Sequence, residues 1–244
     1  MSGILVTVVE TKGSTPREVG ASMLVTATGQ EGTIGGGELE WRATALARAR
    51  LGREVDELVS LPLGPELGQC CGGLVRLRLQ TAEALPAPRA LLAPVWLFGA
   101  GHVGRAVARV LRTLPGQEIV WIDERAAALP ASDARTTCIP AAIPEALVSK
   151  APAGAHILVM THSHPRDLAI VAAALGRNDL GLVGLIGSAT KRARFERRLR
   201  GVGLGDAALA RLSCPIGLPT VRGKHPSVVA IAVVAQLLET RTHG

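Results

Sequence analysis

Val95-Trp96-Leu97-Phe98-Gly99-Ala100-Gly101-His102-Val103-Gly104 runs from four apolar residues into three spaced glycines, and an amphipathic segment follows. That pattern is a buried strand which turns tightly and opens a helix. The first glycine permits the turn, the second lets backbone approach a pyrophosphate, and the third lets helix and strand pack closely. The helix start presents free N–H groups and partial positive charge to an anion. Asp123 ends the next apolar run about 20 residues further on, where an acceptor for a ribose 2′-hydroxyl belongs. Gly99, Gly101, His102, Gly104 and Asp123 are therefore the first candidate binding residues. The turn is compatible with a dinucleotide, with another phosphate, or with no ligand.

Outward from this stretch, short apolar runs at 95–98, 118–122, 157–160 and 182–186 read as strands. Helical patterns at 102–114, 166–175 and 191–200 alternate with them, and 228–238 reads as a buried terminal helix. Alternation at this spacing predicts a parallel sheet with right-handed crossovers, a doubly wound Rossmann-type domain over 95–244. Ligands of such sheets bind at the carboxyl ends of strands. Two further strand ends carry polar residues: Thr161-His162-Ser163-His164-Pro165-Arg166-Asp167, and Gly187-Ser188 ahead of Lys191-Arg192. His162 and His164 lack further ligands at metal spacing, and Asp167 reads as a helix cap. Ser188, Lys191 and Arg192 suit an anion at a helix N-terminus, or plain solvation.

Pro86, Pro88 and Pro94 punctuate a Pro/Ala-rich stretch at 81–94, read as a linker. Upstream, residues 1–80 form a smaller α/β or α+β domain, with strands at 4–10, 23–26 and 74–79 and a helix at 41–53. Its loops hold the chemistry. Thr11-Lys12-Gly13-Ser14-Thr15-Pro16-Arg17 gathers hydroxyls, amides and cations fit for an anionic group, as a polar hairpin also would. Gly35-Gly36-Gly37 is costly in chain entropy, which implies a close approach of backbone. Gln69-Cys70-Cys71-Gly72-Gly73 offers two thiols with no CxxC spacing for structural zinc. Thiolates are soft ligands, so Cys70 and Cys71 could contact a soft metal or receive sulfur, or be buried.

Composition bounds the function class. Hydrophobic residues make up 48% and charged ones 19%, which excludes disorder as the main state. Aromatic content of 2% leaves Val, Leu, Ile and Ala to build the core. The net charge of +7 is concentrated in 191–200, which holds six Lys/Arg against one Glu. With Phe195 the one aromatic side chain in that run, nucleic acid is not the expected partner. No apolar run is long enough to span a bilayer, and no basic region precedes an apolar stretch at the N-terminus. Four cysteines without framework spacing fit a reducing compartment, so a cytoplasmic protein is expected.

Taken together, these segments make the chain resemble the xanthine dehydrogenase accessory proteins of the XdhC/CoxI family over nearly its full length. The resemblance rests on 13–17, Gly20-Ala21, 33–37 with Leu39-Glu40-Trp41, and 68–73. It adds the 99–104 turn, Asp123, 161–164 with Asp167, and 184–188 with Lys191-Arg192. Cys214-Pro215-Ile216-Gly217-Leu218 and Gly223-Lys224-His225-Pro226 complete it. Gly37 and the Gln-Cys-Cys segment are similar to the XdhC subgroup.

The resemblance implies a carrier rather than a turnover enzyme. Such proteins bind molybdenum cofactor, protect it while a cysteine desulfurase installs its terminal sulfido ligand, and help insert it into apo xanthine dehydrogenase. On this expectation the cofactor (molybdopterin) sits in a cleft between the two halves. Gly99, Gly101 and Gly104 hold its phosphate, with His102, Asp123, His162, Ser188 and Lys191 nearby. Ser14, Arg17, Gly35, Gly36 and Gly37 close over the pterin, and Gln69, Cys70 and Cys71 lie near molybdenum. A homodimer is a reasonable state for a carrier serving a dimeric target. The alternative is an NAD(P)-dependent oxidoreductase using the same turn and Asp123, for which no persuasive hydride-transfer acid is visible.

Overall fold

A computed structural model describes residues 2–63, 73–87 and 90–240. Their contacts divide the chain into two compact units, Met1–Ala87 and Pro88–Gly244.

The first unit is an antiparallel sheet with one helix. Its elements are β1 (Gly3–Lys12), β2 (Ser22–Val25), β3 (Gln30–Gly32), α1 (Gly37–Arg48), β4 (Asp56–Pro62) and β5 (Leu74–Ala82), in sheet order β3-β2-β1-β5-β4. Ile4, Val6 and Val8 alternate along β1 and are buried, because a strand sends every second side chain to one face. Leu39, Ala43 and Ala47, spaced for one helical face, join them in the same core as Leu77 and Leu79 of β5. A sheet built entirely of antiparallel pairs makes this unit α+β. The helix starts at Gly37, four residues before the expected start, since the glycine run is its entry rather than a preceding loop. Strand β4 went unread because it is the charged edge of the sheet, where no buried stripe marks a strand.

The second unit is doubly wound. It comprises β6 (Val95–Phe98), α2 (His102–Leu111), β7 (Ile119–Asp123), β8 (Thr136–Pro140), β9 (His156–Val159), α3 (His164–Leu175), β10 (Val183–Leu185), α4 (Ala189–Gly201), α5 (Asp206–Ala210), β11 (Leu212–Ser213) and α6 (Pro226–Thr240). The six strands are parallel in the order β11-β10-β9-β6-β7-β8. The chain winds outward from β6 to β8, then returns to β9 on the other side of β6. The order therefore reverses beside the glycine turn, where doubly wound sheets hold their ligands.

Both faces of this sheet are covered. Phe98, Ile157 and Val159 pack against Ile170 and Val171 of α3 and Phe195 and Leu199 of α4. Leu97 and Leu158 face Val107 and Leu111 of α2 and Val233 and Leu237 of α6. Complete burial of each such side chain contributes roughly 1.5–3 kcal/mol. Strand β8 went unread because only Thr136 of its five residues is buried. Among the described residues no helix is long and apolar enough to cross a membrane.

Candidate functional site

The three glycines of the turn do different work. Gly99 has a φ of 112°, and a Cβ there would lie 2.3 Å from the Met160 carbonyl oxygen. A Cβ on Gly104 would lie 2.0 Å from the Gly99 oxygen. Those two positions are fixed by packing. Gly101 is exposed, and a Cβ there would meet nothing within 4 Å. It is the N-cap of α2, and no side chain caps the helix. The helix start is thus uncapped beside open space at Gly101, as an anion site requires.

The chain itself holds the turn in shape. The Gly99 amide donates to the Ile122 oxygen at 2.8 Å and the Ala100 amide to Asp123 Oδ2 at 2.7 Å. Trp121 Nε1 donates to the Gly99 oxygen at 3.1 Å, and Arg105 Nε to the Ala100 oxygen at 3.1 Å. Asp123, with only 3% of its side chain exposed, also receives the Arg125 amide and Nε on Oδ1, both at 2.9 Å, and Arg125 Nη2 on Oδ2 at 3.0 Å. Burial alone would raise its pKa. The Arg125 guanidinium and the amides of Arg125 and Ala100 outweigh that and hold it at about 2. A carboxylate has about four acceptor positions, and here each is taken by a group of the chain.

The β9 loop supplies the opposite side. Thr161 donates its amide and hydroxyl to Asp167 Oδ1 at 3.1 and 2.7 Å, while Lys191 Nζ reaches Oδ2 at 2.7 Å. Asp167 is fully buried and Lys191 nearly so, its ammonium also bonded to the Ile186 oxygen. Ser163, not Asp167, caps α3 by accepting from the Arg166 amide. His162 Nε2 lies 3.1 Å from Glu124 Oε1, and Arg166 bridges Glu124 and Glu145. Because β6 lies between β7 and β9, these pairs span the carboxyl end of β6. The cavity lined by Phe98, Ile122, Pro144, Thr161 and these charged residues measures about 10 Å3, room for one water at most.

At the next strand end, Ser188 caps α4 through the Lys191 amide. Arg192 binds Glu196 and the Leu212 carbonyl. The three residues read as an anion site are therefore engaged within the chain. His102 and His164 are exposed, and no cluster of three or more His, Cys, Asp or Glu able to hold a metal exists among the described residues. Burial pushes the thiols of Cys138 and Cys214 up, away from thiolate character.

In the first unit, the 13–17 loop meets two glycines. A Cβ on Gly35 would stand 2.7 Å from Pro16 and 3.3 Å from Arg17 Cγ, and one on Gly73 would stand 2.5 Å from the Ser14 oxygen. Within the glycine run the close approach is made by Gly35, against the Pro16 ring; a Cβ on Gly36 would meet nothing within 4 Å, and what all three share is a positive φ. Ser14 is exposed and Arg17 half-buried beside Glu18. Glu40 organises the run from α1: Oε2 receives the Thr33 hydroxyl at 2.5 Å and the Ile34 and Gly36 amides at 3.0 Å, and Oε1 receives Gln30 Nε2. Burial opposes its ionisation, but these bonds together keep its pKa below the usual glutamate value. Gln69, Cys70 and Cys71 lie outside the described residues.

Sequence reasoning missed Glu40, Glu124, Arg125 and Arg166 as organisers of the site. The adjacency of Glu124 and Arg125 to Asp123 was the available signal for two of them.

Residues 95–237 match the family model described as the XdhC Rossmann domain, and residues 2–61 match that of the XdhC and CoxI family. The chain is 29% identical, over 259 residues, to the Escherichia coli (strain K12) protein called "Uncharacterized protein YqeB". That alignment covers 97% of this chain and 43% of the relative, so the chain spans less than half the length of the curated protein it matches. Its fold also matches the crystal structure of a xanthine dehydrogenase from Bacillus halodurans with a TM-score of 0.79, covering 99% of this chain and 92% of that one. The identity is 19%, and the likeness shows the fold alone.

Proposed function

The chain belongs to the XdhC and CoxI family, and from that membership we propose that it is an accessory factor for xanthine dehydrogenase, a cofactor carrier rather than a turnover enzyme. Its cargo is molybdenum cofactor, kept from solvent while a cysteine desulfurase acts on it and then delivered to the apo dehydrogenase. The observation that carries this reading is the uncapped start of α2, where Gly101 leaves space for phosphate oxygens.

The residues present fit the phosphate end of such a group. The amides of Gly101 and His102 would hold it, with Gly99 and Gly104 setting the shape of the turn. In the first unit, Ser14 and Arg17 are the donors proposed for a pterin, with the 35–37 run, whose Gly35 and Gly36 amides are held by Thr33 and Glu40, giving the loop its shape. Cys70 and Cys71 are the soft ligands proposed for the metal. When bound, the cofactor supplies a soft, oxygen-sensitive metal–sulfur centre. The chain's own contribution is to bind and shield, which needs no proton donor or nucleophile aimed at substrate.

The nicotinamide reading has less support. Asp123 would have to exchange Arg125 for a ribose hydroxyl, and the Glu124–His162 bridge stands across the crevice.

The test is pterin content after expression in a molybdenum-replete host, measured on denatured protein by fluorescence. Wild type is expected to carry pterin, and Gly101→Asp to lose at least about tenfold, since a carboxylate there repels phosphate. Undiminished pterin in the variant would refute the cradle. Tight NADH binding without pterin would favour the oxidoreductase.

A further inference from the structure

The geometry points to a second ligand site in the second unit, a cleft along α2 that takes a small organic anion with an apolar ring or chain. The cleft measures about 520 Å3, within the range of sites that enclose small molecules. One wall is the face of α2 carrying Arg105 and Arg109, continued by its C-cap Arg112, residues that share a side because four and then three positions separate them. The facing wall is the 127–130 segment, with Leu129 and Pro130, and Trp121 and Ala108 line the space between. None of the lining residues is acidic.

Two of the arginines are already committed. Arg105 donates to the Ala100 oxygen at 3.1 Å and crosses to the Ala128 oxygen at 3.0 Å, closing one end. Arg112 pairs with Asp133 at 2.6 Å. Arg109, between them and exposed, has no acidic partner among the described residues. An unpaired guanidinium presents a planar fork of donors that matches a carboxylate or phosphate. Beside it, Leu129, Pro130 and the alanines give an apolar body a surface on which to leave water. A fork for the anion and a dry wall for the rest define an amphipathic anion, a carboxylate or phosphate monoester.

This cleft adjoins the glycine turn through Trp121 and Arg105, which bond to the Gly99 and Ala100 oxygens, but neither Gly101 nor His102 lines it. It stands apart from the carrier reading and survives if that reading fails.

The test follows the indole N–H resonance of Trp121 in the full chain, assigned by its loss in Trp121→Phe, during titration with three probes. Phenyl phosphate carries ring and anion, inorganic phosphate the anion alone, and benzyl alcohol the ring alone. Phenyl phosphate is expected to shift the signal saturably and to bind at least about tenfold tighter than either other probe. Arg109→Ala should remove the saturable shift, and Arg109→Lys should retain part of it. In Gly101→Asp, which disables the turn, the shift should persist. A saturable response unchanged in Arg109→Ala, or equal affinity for all three probes, would overturn the site. So would loss of the response in Gly101→Asp, which would assign it to the turn.

Discussion

Replacing Asp123 by Asn keeps the size of the side chain and an acceptor for the Ala100 amide, but removes the charge that Arg125 embraces. In the folded protein this carboxyl titrates at about 2 against an ordinary value of 3.8. At 1.36 kcal/mol for each tenfold change in acidity, that depression is equivalent to about 2 kcal/mol of stability in the ionised state. Half of the Arg125 side chain faces solvent, which lowers the expectation to about 1.5 kcal/mol. The sign follows from the direction: a depressed folded pKa contributes stability that is complete above the unfolded value and is lost as pH falls through the folded one. Urea unfolding of wild type and Asp123→Asn should therefore differ by about 1.5 kcal/mol at about pH 7 and about pH 5, with the gap narrowing below about pH 4. A gap under about 0.5 kcal/mol at neutral pH would refute the reasoning, as would one independent of pH between about 5 and 3.

Gly104→Ala should cost about 3 kcal/mol or more, because its Cβ meets backbone at 2.0 Å, whereas Gly101→Ala should stay within about 1 kcal/mol of wild type by thermal unfolding. Lys191→Met leaves Asp167 charged and fully buried, and should cost about 3–5 kcal/mol by denaturant unfolding, with Lys191→Met/Asp167→Asn losing less. Glu40→Gln should cost about 1 kcal/mol near neutral pH. The Glu40 pKa is lowered in the fold, so the difference should fade as pH drops below the ordinary glutamate value, followed by circular dichroism.

Much of the second unit was legible because its signals are local. A four-residue apolar run ending in Gly99 allows few structures, and the strand spacing through Ile157 and Leu185 repeats the pattern. The close approach at Gly35 was likewise implied by the three glycines alone. What escaped depends on partners distant in sequence. Lys191 reads as a free cation until Asp167 is brought under it from 24 residues away. Asp123 reads as a ligand acceptor until the Ala100 amide, 23 residues away, joins the neighbouring Arg125 in filling its oxygens. His162 acquires Glu124 only when β9 settles beside β6. Strands β4 and β8 lie at sheet edges, where one neighbour suffices and composition is free to be polar or small.

The carboxylate of Glu40 has a further consequence for the loop it gathers. A run of three glycines would ordinarily sample many shapes, and a guest would have to select one of them at a cost in affinity. Here a carboxylate on the neighbouring helix holds one shape through bonds to Thr33, Ile34 and Gly36. A segment whose composition favours many conformations is thereby set in one, and that setting depends on a single side chain of α1.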